Sequence, residues 1–357
     1  MIRVPAVVLA ACCVTFAAVH LPALAEADDA ATKAVRVGII GVDNYQCVAF
    51  TQLFQKPPED NPDLRGIEVV AAWPGGSPDV AESVKGLPQW RERLSKMGVK
   101  IEDSIDAVLD QVDAVLVMSL DGRTHLELAT AALKAGKPVY VGRPLAATLE
   151  DVVAIFEVAR REGTPLFSCS QHRYSPGFIA MRNHPEAGSV VGCDVYGGLE
   201  TEPHHAGYFW HPHSFETLYT IMGPGAKTVT RTESKTADLI TGTWKDGRIG
   251  TCRLAREGAV KYSALVYGDR GIVPAGMYGY EAPVKGVVPK GRYKGYEGVA
   301  TEIAKFFKTG KLPVQPEETI ELFAFIEAAH ESGRRGGAAV NVDDVLEKAR
   351  QAVAKRK

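Results

Sequence analysis

The first half of the chain alternates short apolar runs with segments whose apolar residues recur at helical spacing. Val35–Ile40, Ile67–Trp73 and residues 113–119, 137–142 and 165–170 have the length and composition of buried strands. Helical periodicity fills the intervals, as in residues 44–54, HLELATAALKAG and LEDVVAIFEVARREG. This alternation predicts a parallel sheet covered by helices, and right-handed crossovers make such a sheet doubly wound.

The pattern changes after RYSPGF. The segments VVGCDVYGGLE, KTVTRTES, ADLITGTWKDG, RIGTCRLAR and KYSALVYG are short, and turn residues such as those of Lys245-Asp246-Gly247 separate them. Such spacing is typical of an antiparallel sheet. Two helical segments, VATEIAKFFKTG and PEETIELFAFIEAAHESGRRGG, follow. We therefore predict an α/β domain over residues 34–170 and an α+β domain with an open, mainly antiparallel sheet over residues 171–357.

Composition agrees with two globular domains and excludes one class of partner. The chain has 357 residues, of which 46% are hydrophobic and 24% are charged, enough for two ordinary cores. Its formal net charge of -2 gives no general attraction to nucleic acid, and no basic block interleaved with aromatic residues precedes the terminal KRK. We expect a small-molecule partner and no nucleic acid.

The N-terminus has the pattern of an export signal over residues 1–25. One arginine precedes a long apolar run, and Ala23-Leu24-Ala25 has the small-x-small form of a cleavage site. Two alternatives stay open: a retained membrane anchor, although prolines interrupt the run, and lipid attachment at Cys12. Cleavage after Ala25 would leave a linker over residues 26–33, no stable membrane span, and a periplasmic or extracellular protein.

Four cysteines remain after this cleavage, and none is in a C-x-x-C motif of the kind that binds zinc or carries redox chemistry. An oxidising compartment permits disulfides without requiring them. Three of the four lie within apolar periodic segments, so we predict buried free thiols at Cys47, Cys169, Cys193 and Cys252.

Several segments, in order, resemble the glucose-fructose oxidoreductase, inositol dehydrogenase and rhizopine-catabolism (Gfo/Idh/MocA) family. They are THLELATAALKAGKPVYVGRPLA, HRYSPGF, HPHSFETLYTIMGPG and FAFIEAAHESGRRGGAAVNV. The resemblance covers nearly all of the mature chain. It implies a Rossmann domain followed by an open antiparallel sheet domain, an NAD- or NADP-dependent activity on a sugar or polyol, and a homo-oligomer.

The glycine-rich loop departs from the family pattern. In VGIIGVDNYQ, Gly41 occupies the first glycine position of G-x-G-x-x-G, but Asp43 and Gln46 replace the other two. Asp43 is expected at the helix N-terminus, where it can cap free N–H groups. A carboxylate about 5 Å from a phosphate costs roughly 3 kcal/mol at an effective dielectric of 20. Gly38, Gly41, Asp43 and Asn44 are the expected cofactor-loop residues, in a site that disfavours conventional pyrophosphate docking.

Two further cofactor positions are altered. The second strand ends in Trp73-Pro74-Gly75-Gly76, without the acidic residue that usually binds the adenosine ribose. Trp73 either stacks on a nucleotide or covers the sheet edge. The family's Glu-Lys-Pro is Gly142-Arg143-Pro144 here, and arginine stays charged and serves as a fixed donor fork. Arg143 is expected to hold a carboxylate, a hydroxyl or a phosphate, or else to pair with a nearby carboxylate.

The family's substrate-domain motif Asp-x-Gly-x-His-x-x-Asp corresponds to residues 209–216, with Phe209 in place of the first aspartate. His213 is retained, and Glu216 replaces the last acid. If a helix begins near Pro212, His213 and Glu216 share one face. A histidine beside a carboxylate is a plausible general acid or base, so His213, Glu216 and Arg143 are the predicted catalytic residues.

Other polar residues complete the predicted site. Asp121 and Arg123 follow the fourth predicted strand, at the sheet edge where ligands of open α/β folds bind, and we assign them to the cofactor. Arg173, Tyr174 and His211 are assigned to the substrate, with an interdomain hydrogen-bond network as the alternative for the first two. The histidines at 204, 205, 211 and 213 also permit a metal site, but their spacing matches no established motif, and we predict none.

Two functions from different classes follow. The first is an oxidoreductase acting on a carbohydrate, with NAD or NADP held in a modified pocket. The second is an exported carbohydrate-binding protein, or a lyase or hydrolase, that uses the same cleft without a nicotinamide cofactor.

Overall fold

The computed structural model describes residues 34–282 and 291–356. The predicted signal peptide and linker lie outside these residues. Among the described helices, none combines the length and the apolar character needed to cross a membrane.

A six-stranded parallel sheet forms the first part of the described chain. Its spatial order is β3-β2-β1-β4-β5-β6. The strands are β1 Val35–Ile40, β2 Ile67–Trp73, β3 Lys100–Ile101, β4 Ala114–Val117, β5 Val139–Val141 and β6 Leu166–Ser168. All neighbours pair in parallel. The predicted doubly wound parallel sheet is therefore confirmed, with the two-residue β3 as an addition that no sequence pattern indicated.

Five helices connect these strands. They are α1 Tyr45–Gln55, α2 Ala81–Lys96, α3 Ile105–Leu109, α4 His125–Lys134 and α5 Leu149–Glu162. Local signals set several of their ends. Thr148 caps α5 by accepting a hydrogen bond from the Asp151 N–H, and Gly163 ends it in the left-handed conformation that glycine adopts without steric cost.

A seven-stranded sheet forms the second part, with spatial order β12-β11-β7-β10-β9-β8-β13. Its strands are β7 Val190–Gly198, β8 Ala226–Glu233, β9 Ala237–Trp244, β10 Ile249–Ala255, β11 Ser263–Gly268, β12 Ile272–Met277 and β13 Val340–Asn341. All pairs are antiparallel except β7 with β10. The prediction of a mainly antiparallel sheet is confirmed.

Helices cover one face of the second sheet and also return to the first. They are α6 Pro176–Ala180, α7 His213–Met222, α8 Glu297–Thr309, α9 Pro316–Arg334 and α10 Val342–Ala354. Helix α7 packs on β7 and β10, and α9 packs on β8. Helix α8 instead buries Ile303 and Phe306 in the same hydrophobic cluster as Phe50 and Phe167 of the first sheet's layer. The domain boundary at residue 170 stays a prediction.

The uncovered face of the second sheet exposes apolar side chains, among them Ile249 at 53% and Ile272 at 64%. Homo-oligomerisation through this face stays a prediction. Cys47, Cys169, Cys193 and Cys252 are all buried and unpaired, which confirms the predicted free thiols.

Candidate functional site

The candidate site is a pocket at the carboxyl ends of the neighbouring strands β1 and β4. The chain runs from β1 outward to β2 and β3 and from β4 outward to β5 and β6, so this is the switch point at which open α/β sheets bind ligands. The pocket holds about 350 Å³, and its lining includes Asp43, Asn44, Gln46, Lys85, Arg143 and Tyr296. Sequence reasoning had placed three of these residues in the site.

The turn after β1 requires a glycine, and helix α1, which follows it, requires an N-cap. Gly41 has φ of +87°, and a Cβ there would lie 2.4 Å from the Ser119 nitrogen, so a side chain is excluded. Asn44 caps α1, because its Oδ1 accepts a hydrogen bond from the Gln46 N–H at 2.7 Å and its Nδ2 donates to the Met118 carbonyl at 2.8 Å. The prediction that Asp43 caps this helix is wrong, since the neighbouring asparagine does so.

Asp43 instead points into the protein. Its side chain is almost wholly buried, and its carboxylate accepts hydrogen bonds from the Leu120 N–H at 2.8 Å and from the Ser83 hydroxyl at 2.5 Å. Burial raises the pKa of Asp43, and these two hydrogen bonds offset only part of that effect. The acidic residue at the second glycine position is thus part of the packed structure between α1, α2 and β4.

The segment that joins β2 to α2 closes the same edge of the sheet. The Gly41 and Val42 N–H groups donate to the Trp73 and Pro74 carbonyls, so the loop after β1 is bonded to the end of β2. Further along, the Ser77 hydroxyl donates to Asp121 at 2.7 Å. The segment therefore crosses from β2 over β1 to the loop that follows β4.

Asp121 and Arg123 hold this crossing in place. Arg123 donates to both Asp121 and Asp79, so it joins the loop after β4 to the segment before α2. Burial alone would raise the pKa of Asp121, but the hydrogen bonds from Arg123 and Ser77 lower it to about 2. The structure gives both predicted cofactor residues a partner within the protein.

This edge does not fit a diphosphate in the conventional position. Two buried carboxylates, Asp43 and Asp121, occupy it together with Ser77 and Ser83. Arg123 offsets the charge of Asp121, whereas Asp43 has only neutral donors, and an uncompensated carboxylate about 5 Å from a phosphate costs roughly 3 kcal/mol. No reaction step through a conventionally bound dinucleotide follows from these residues.

The buried carboxyl of Asp43 predicts a pH effect on stability. Its raised folded-state pKa favours the protonated form, so the stability that it contributes is present at low pH and is lost as pH rises from about 3.8 through the folded pKa. Asp43→Asn keeps an acceptor for the Leu120 N–H without that titration. We expect urea denaturation between about pH 4 and 8 to show the variant gaining stability relative to the wild type as pH rises. A gap that is constant or that narrows would contradict this.

On the other side of the pocket, Arg143 meets a histidine and no acid. Its Nη1 lies 3.2 Å from the Nε2 of His211, while its Nε is buried without any hydrogen-bond partner. Within residues 34–282 and 291–356, no carboxylate forms an ion pair with this guanidinium. The alternative that Arg143 pairs with a nearby carboxylate is therefore wrong for the described chain. Since arginine only donates, His211 accepts at Nε2 and carries its proton on Nδ1, which lies 3.1 Å from a Glu200 oxygen without hydrogen-bond geometry.

Behind Arg143 lies a stack of aromatic rings. His172 stacks between His213 and Tyr278, with centroids 4.6 and 4.1 Å away, and Tyr262 meets both histidines edge-on. Burial, then the charge of Arg143, lowers the pKa of His172 to about 3 and that of His211 to about 2. Burial also places the pKa of His213 well below its ordinary value. All three rings are therefore neutral near pH 7.

His213 and Glu216 do lie on one helix, which begins at His213 just after Pro212 as predicted. Their predicted pairing is nevertheless wrong. His213 Nδ1 is 2.7 Å from the Ser170 hydroxyl, whereas Glu216 accepts from the Ser170 N–H at 3.0 Å and from Arg173. Helical spacing put them on one face, but partners in the segment after β6 separate them. Glu216 therefore has a structural role, not the predicted catalytic one.

Arg173 follows the alternative of an interdomain hydrogen-bond network. It is buried and pairs with both Glu216 and Glu318. Burial alone would lower the pKa of Arg173, but the two carboxylates raise it above its ordinary value. Tyr174 is also directed elsewhere, because its hydroxyl lies 3.5 Å from the Pro313 carbonyl and its ring is outside the pocket. Neither residue contacts the pocket.

Two other predicted cofactor residues have packing roles. Gly38 lies inside β1, where a Cβ would come within 2.5 Å of Val108. Its lack of a side chain lets α3 pack closely against the sheet, and Gly38 does not line the pocket. The Trp73 side chain is half-buried, and its ring lies 3.1 Å from the Cβ position of Gly75. Trp73 packs against the hydrophobic core, in agreement with the covering alternative.

The predicted histidine group divides between two places. His204 lies 3.4 Å from Asp79, and His205 contacts Glu202 and the Gly122 N–H. His211 and His213 belong to the stack beside Arg143. In the part of the chain that the structure describes, no group of three or more His, Cys, Asp or Glu side chains could hold a metal ion.

Sequence reasoning missed three contributors to the site. Ser170 and His172 immediately follow β6, and the signal was available because polar residues after a buried parallel strand reach the ligand-binding edge of the sheet. From the sequence, Gln46 stood out only as the residue at the third glycine position of G-x-G-x-x-G. Its side chain lines the pocket, its Nε2 donates to Gln171 at 3.3 Å, and its Oε1 is buried without a partner.

The chain is similar to known proteins in sequence and fold. Residues 35–169 match the model of the Gfo/Idh/MocA oxidoreductase family, which is described as having an NAD-binding Rossmann fold. Inositol 2-dehydrogenase 3 of Saccharopolyspora erythraea is 40% identical over 157 residues, covering 44% of this chain and 42% of that protein. Inositol 2-dehydrogenase of Salmonella typhimurium is 26% identical over 160 residues, covering 44% and 41%.

The chain thus spans less than half the length of these curated relatives. Among solved structures, a putative myo-inositol dehydrogenase from Sinorhizobium meliloti 1021 has a TM-score of 0.67 at 17% identity, covering 86% of this chain and 99% of that one. That likeness extends over both sheets, and it concerns the fold alone.

Proposed function

The chain belongs to the Gfo/Idh/MocA family, and from this premise we propose that it is an oxidoreductase acting on a sugar or polyol that binds in the pocket beside Arg143. NAD or NADP is the redox partner that the family implies. We further propose that the nucleotide is held in an atypical way, away from the buried carboxylates of Asp43 and Asp121. When bound, a nicotinamide supplies a hydride acceptor or donor.

One observation supports the substrate class. Gln46 and Arg143 line the same pocket, and each has a buried polar atom without a partner. The Gln46 Oε1 is an acceptor and the Arg143 Nε–H is a donor. A hydroxyl group both donates and accepts, so a molecule with several hydroxyls can satisfy both atoms once the two side chains turn toward it. Unpaired buried polar atoms are costly, and a polyhydroxy ligand would remove that cost at two points.

The residues around such a ligand can position it and accept a proton. Arg143 is a fixed cation that orients oxygen atoms, and His211 is held in one tautomer by its contact with Arg143. His213 is neutral, and Ser170 fixes its orientation through Nδ1. A neutral imidazole can accept a proton from a substrate hydroxyl. The carboxyl-end location of these groups agrees with the usual position of sites in open α/β sheets.

A second candidate function follows from the closed edge of the sheet. The contacts of Ser83 with Asp43 and of Ser77 with Asp121 lie at the carboxyl edge of the sheet, where a diphosphate conventionally binds. They favour an exported carbohydrate-binding protein, or a lyase or hydrolase, that uses the pocket without NAD(P).

Nucleotide binding decides between the two functions. We expect the chain from Glu26 onward to bind NAD(H) or NADP(H) with a roughly micromolar Kd, or to release nucleotide when denatured. Titration calorimetry and chromatography of the denatured protein measure this. If the site is displaced from Asp43 as proposed, Asp43→Asn should change the Kd less than threefold. A gain near a hundredfold would show a conventional phosphate position, because roughly 3 kcal/mol of repulsion would have been removed. No binding at millimolar nucleotide would favour the second function.

A further inference from the structure

Arg143 is half-buried with a fully buried Nε, and it differs from Arg173, which is buried, and from Arg231, which is half-buried. Arg173 pairs with Glu216 and Glu318, and Arg231 pairs with Asp238. In each case a guanidinium that has lost water is compensated by at least one carboxylate, as buried charges generally are. Arg143 has only a neutral histidine at Nη1, and its Nε–H has no partner. Its compensating anion is missing from the described residues.

We propose that this anion is a carboxylate of the ligand itself, so that the pocket binds sugar acids and related polyhydroxy acids in preference to neutral sugars. The inference rests on the proposed function and specifies its substrate class. A guanidinium presents parallel N–H groups that match the two oxygens of a carboxylate, and such paired contacts are among the strongest hydrogen bonds in proteins. Arg143 is then the residue that determines specificity.

The other charges of the pocket favour a singly charged ligand. Glu82 is exposed like Lys85, so water screens both charges, and a dianion would find no second buried cation among the described residues of the lining. Lys85 is exposed at the rim, where water compensates its charge. The histidines behind Arg143 are neutral and add no positive charge. One uncompensated cation therefore faces the pocket, and one carboxylate balances it.

Gln46 adds a second requirement to the ligand. Its Oε1 is a buried acceptor without a donor, and a carboxylate cannot satisfy it because an ionised carboxylate only accepts. A hydroxyl on the same molecule can donate to it. Carboxylate and hydroxyl together describe a hydroxy acid, whereas a simple carboxylic acid would leave Gln46 unsatisfied.

Matched pairs of ligands test the inference without a nucleotide. Titration calorimetry would compare D-glucuronate with D-glucose and D-gluconate with D-sorbitol on the wild-type protein. We expect each acid to bind at least about tenfold more tightly than its neutral partner. Propionate, which has the carboxylate but no hydroxyl, is expected to bind more weakly than either acid. Equal affinities within a pair would overturn the proposal, and this comparison requires no variant to fold.

Variants then assign the effect to one side chain. Arg143→Met should weaken binding of the acids by about 10- to 100-fold and binding of the neutral sugars much less, so that the preference for the acids is lost, while Arg143→Lys should fall between Arg143→Met and the wild type. Arg270→Met, at an exposed arginine of the second domain, is the control and should bind like the wild type. Unchanged acid binding in Arg143→Met would refute the role of Arg143.

Two further results separate this inference from the proposed function. Tighter binding of D-glucose 6-phosphate than of D-glucuronate would show that the pocket prefers a phosphate to a carboxylate, and it would overturn the inference. Acid binding without any nucleotide binding or oxidation would support the inference and reject the oxidoreductase. Oxidation of neutral polyols with kcat/KM equal to that of the acids would support the oxidoreductase and reject the inference.

Discussion

Replacing Arg173 by Met is expected to destabilise the protein by about 3–5 kcal/mol, the usual cost of breaking a buried ion pair from one side. Arg173 is buried between Glu216 and Glu318, and without it Glu216 keeps the Ser170 N–H and Glu318 keeps the longer contact with Arg182, at 3.6 Å. The pair joins the segment after β6 to α7 and α9. Urea denaturation followed by circular dichroism measures the free energy of unfolding.

Two comparisons make this result specific. Arg173→Met combined with Glu216→Leu should recover part of the loss, because one buried charge is removed together with its partner. Arg36→Met breaks an exposed ion pair with Asp113, and it should cost at most about 1 kcal/mol. A loss in Arg173→Met as small as in Arg36→Met would show that the buried pair contributes little.

The architecture could be predicted from sequence because the strongest signals are long and periodic. Val35–Ile40 and Ile67–Trp73 became strands with the predicted ends, since apolar runs broken only by Arg36 and Glu68 fit a sheet that is mostly buried on both faces. Lys100–Ile101 gave no such signal, because a two-residue strand at the sheet edge is stabilised by its neighbour and not by its own sequence.

The return of α8 to the first sheet was equally hidden from sequence. Its apolar face indicates that it is buried, but amphipathicity does not identify the partner. The structure packs Phe306 against Phe167, with ring centroids 5.0 Å apart. Because of such long-range contacts, a helix that follows the second sheet in sequence packs against the first sheet.

The sequence predicted where the residues of the candidate site lie better than it predicted their hydrogen-bond partners. Polar residues after parallel strands reach one edge, so Asp43, Asp121 and Arg143 were correctly placed near the switch point. Which of two adjacent polar residues caps a helix depends on the entry angle of the chain. For that reason Asn44 and not Asp43 became the cap.

Partner choice at α7 shows the same limit. Residues three apart on a helix are neighbours, which made a His213–Glu216 pair reasonable. Arg173 offers Glu216 a full positive charge, and a buried carboxylate gains more from a cation than from a neutral imidazole. The Ser170 hydroxyl then remains for His213. Only the three-dimensional arrangement brings these competing partners together.

His213→Ala is expected to lower kcat/KM for oxidation of the best sugar acid by about 10²- to 10⁴-fold, the range for loss of a general acid or base. Its ring is 5.4 Å from that of His211, which contacts the pocket residue Arg143, so His213 lies behind the lining of the pocket. Burial lowers the pKa of His213 and keeps its ring neutral, with one ring nitrogen unprotonated, across the neutral pH range. Steady-state kinetics with NAD(P) in excess gives the ratio.

The variant must be shown to be folded, because His213 stacks on His172 and its removal opens a cavity. Circular dichroism and ligand titration provide that check, and His204→Ala, at a half-exposed histidine outside the pocket, is the matched control. Ser170→Ala removes the hydroxyl that orients His213, and it should lower kcat with little change in KM. A His213→Ala protein that is folded, binds the acid and turns over at the wild-type rate would exclude His213 from proton transfer. The proton acceptor would then be sought at His211, next to Arg143, because the pKa of His211 rises when a bound carboxylate offsets the guanidinium charge.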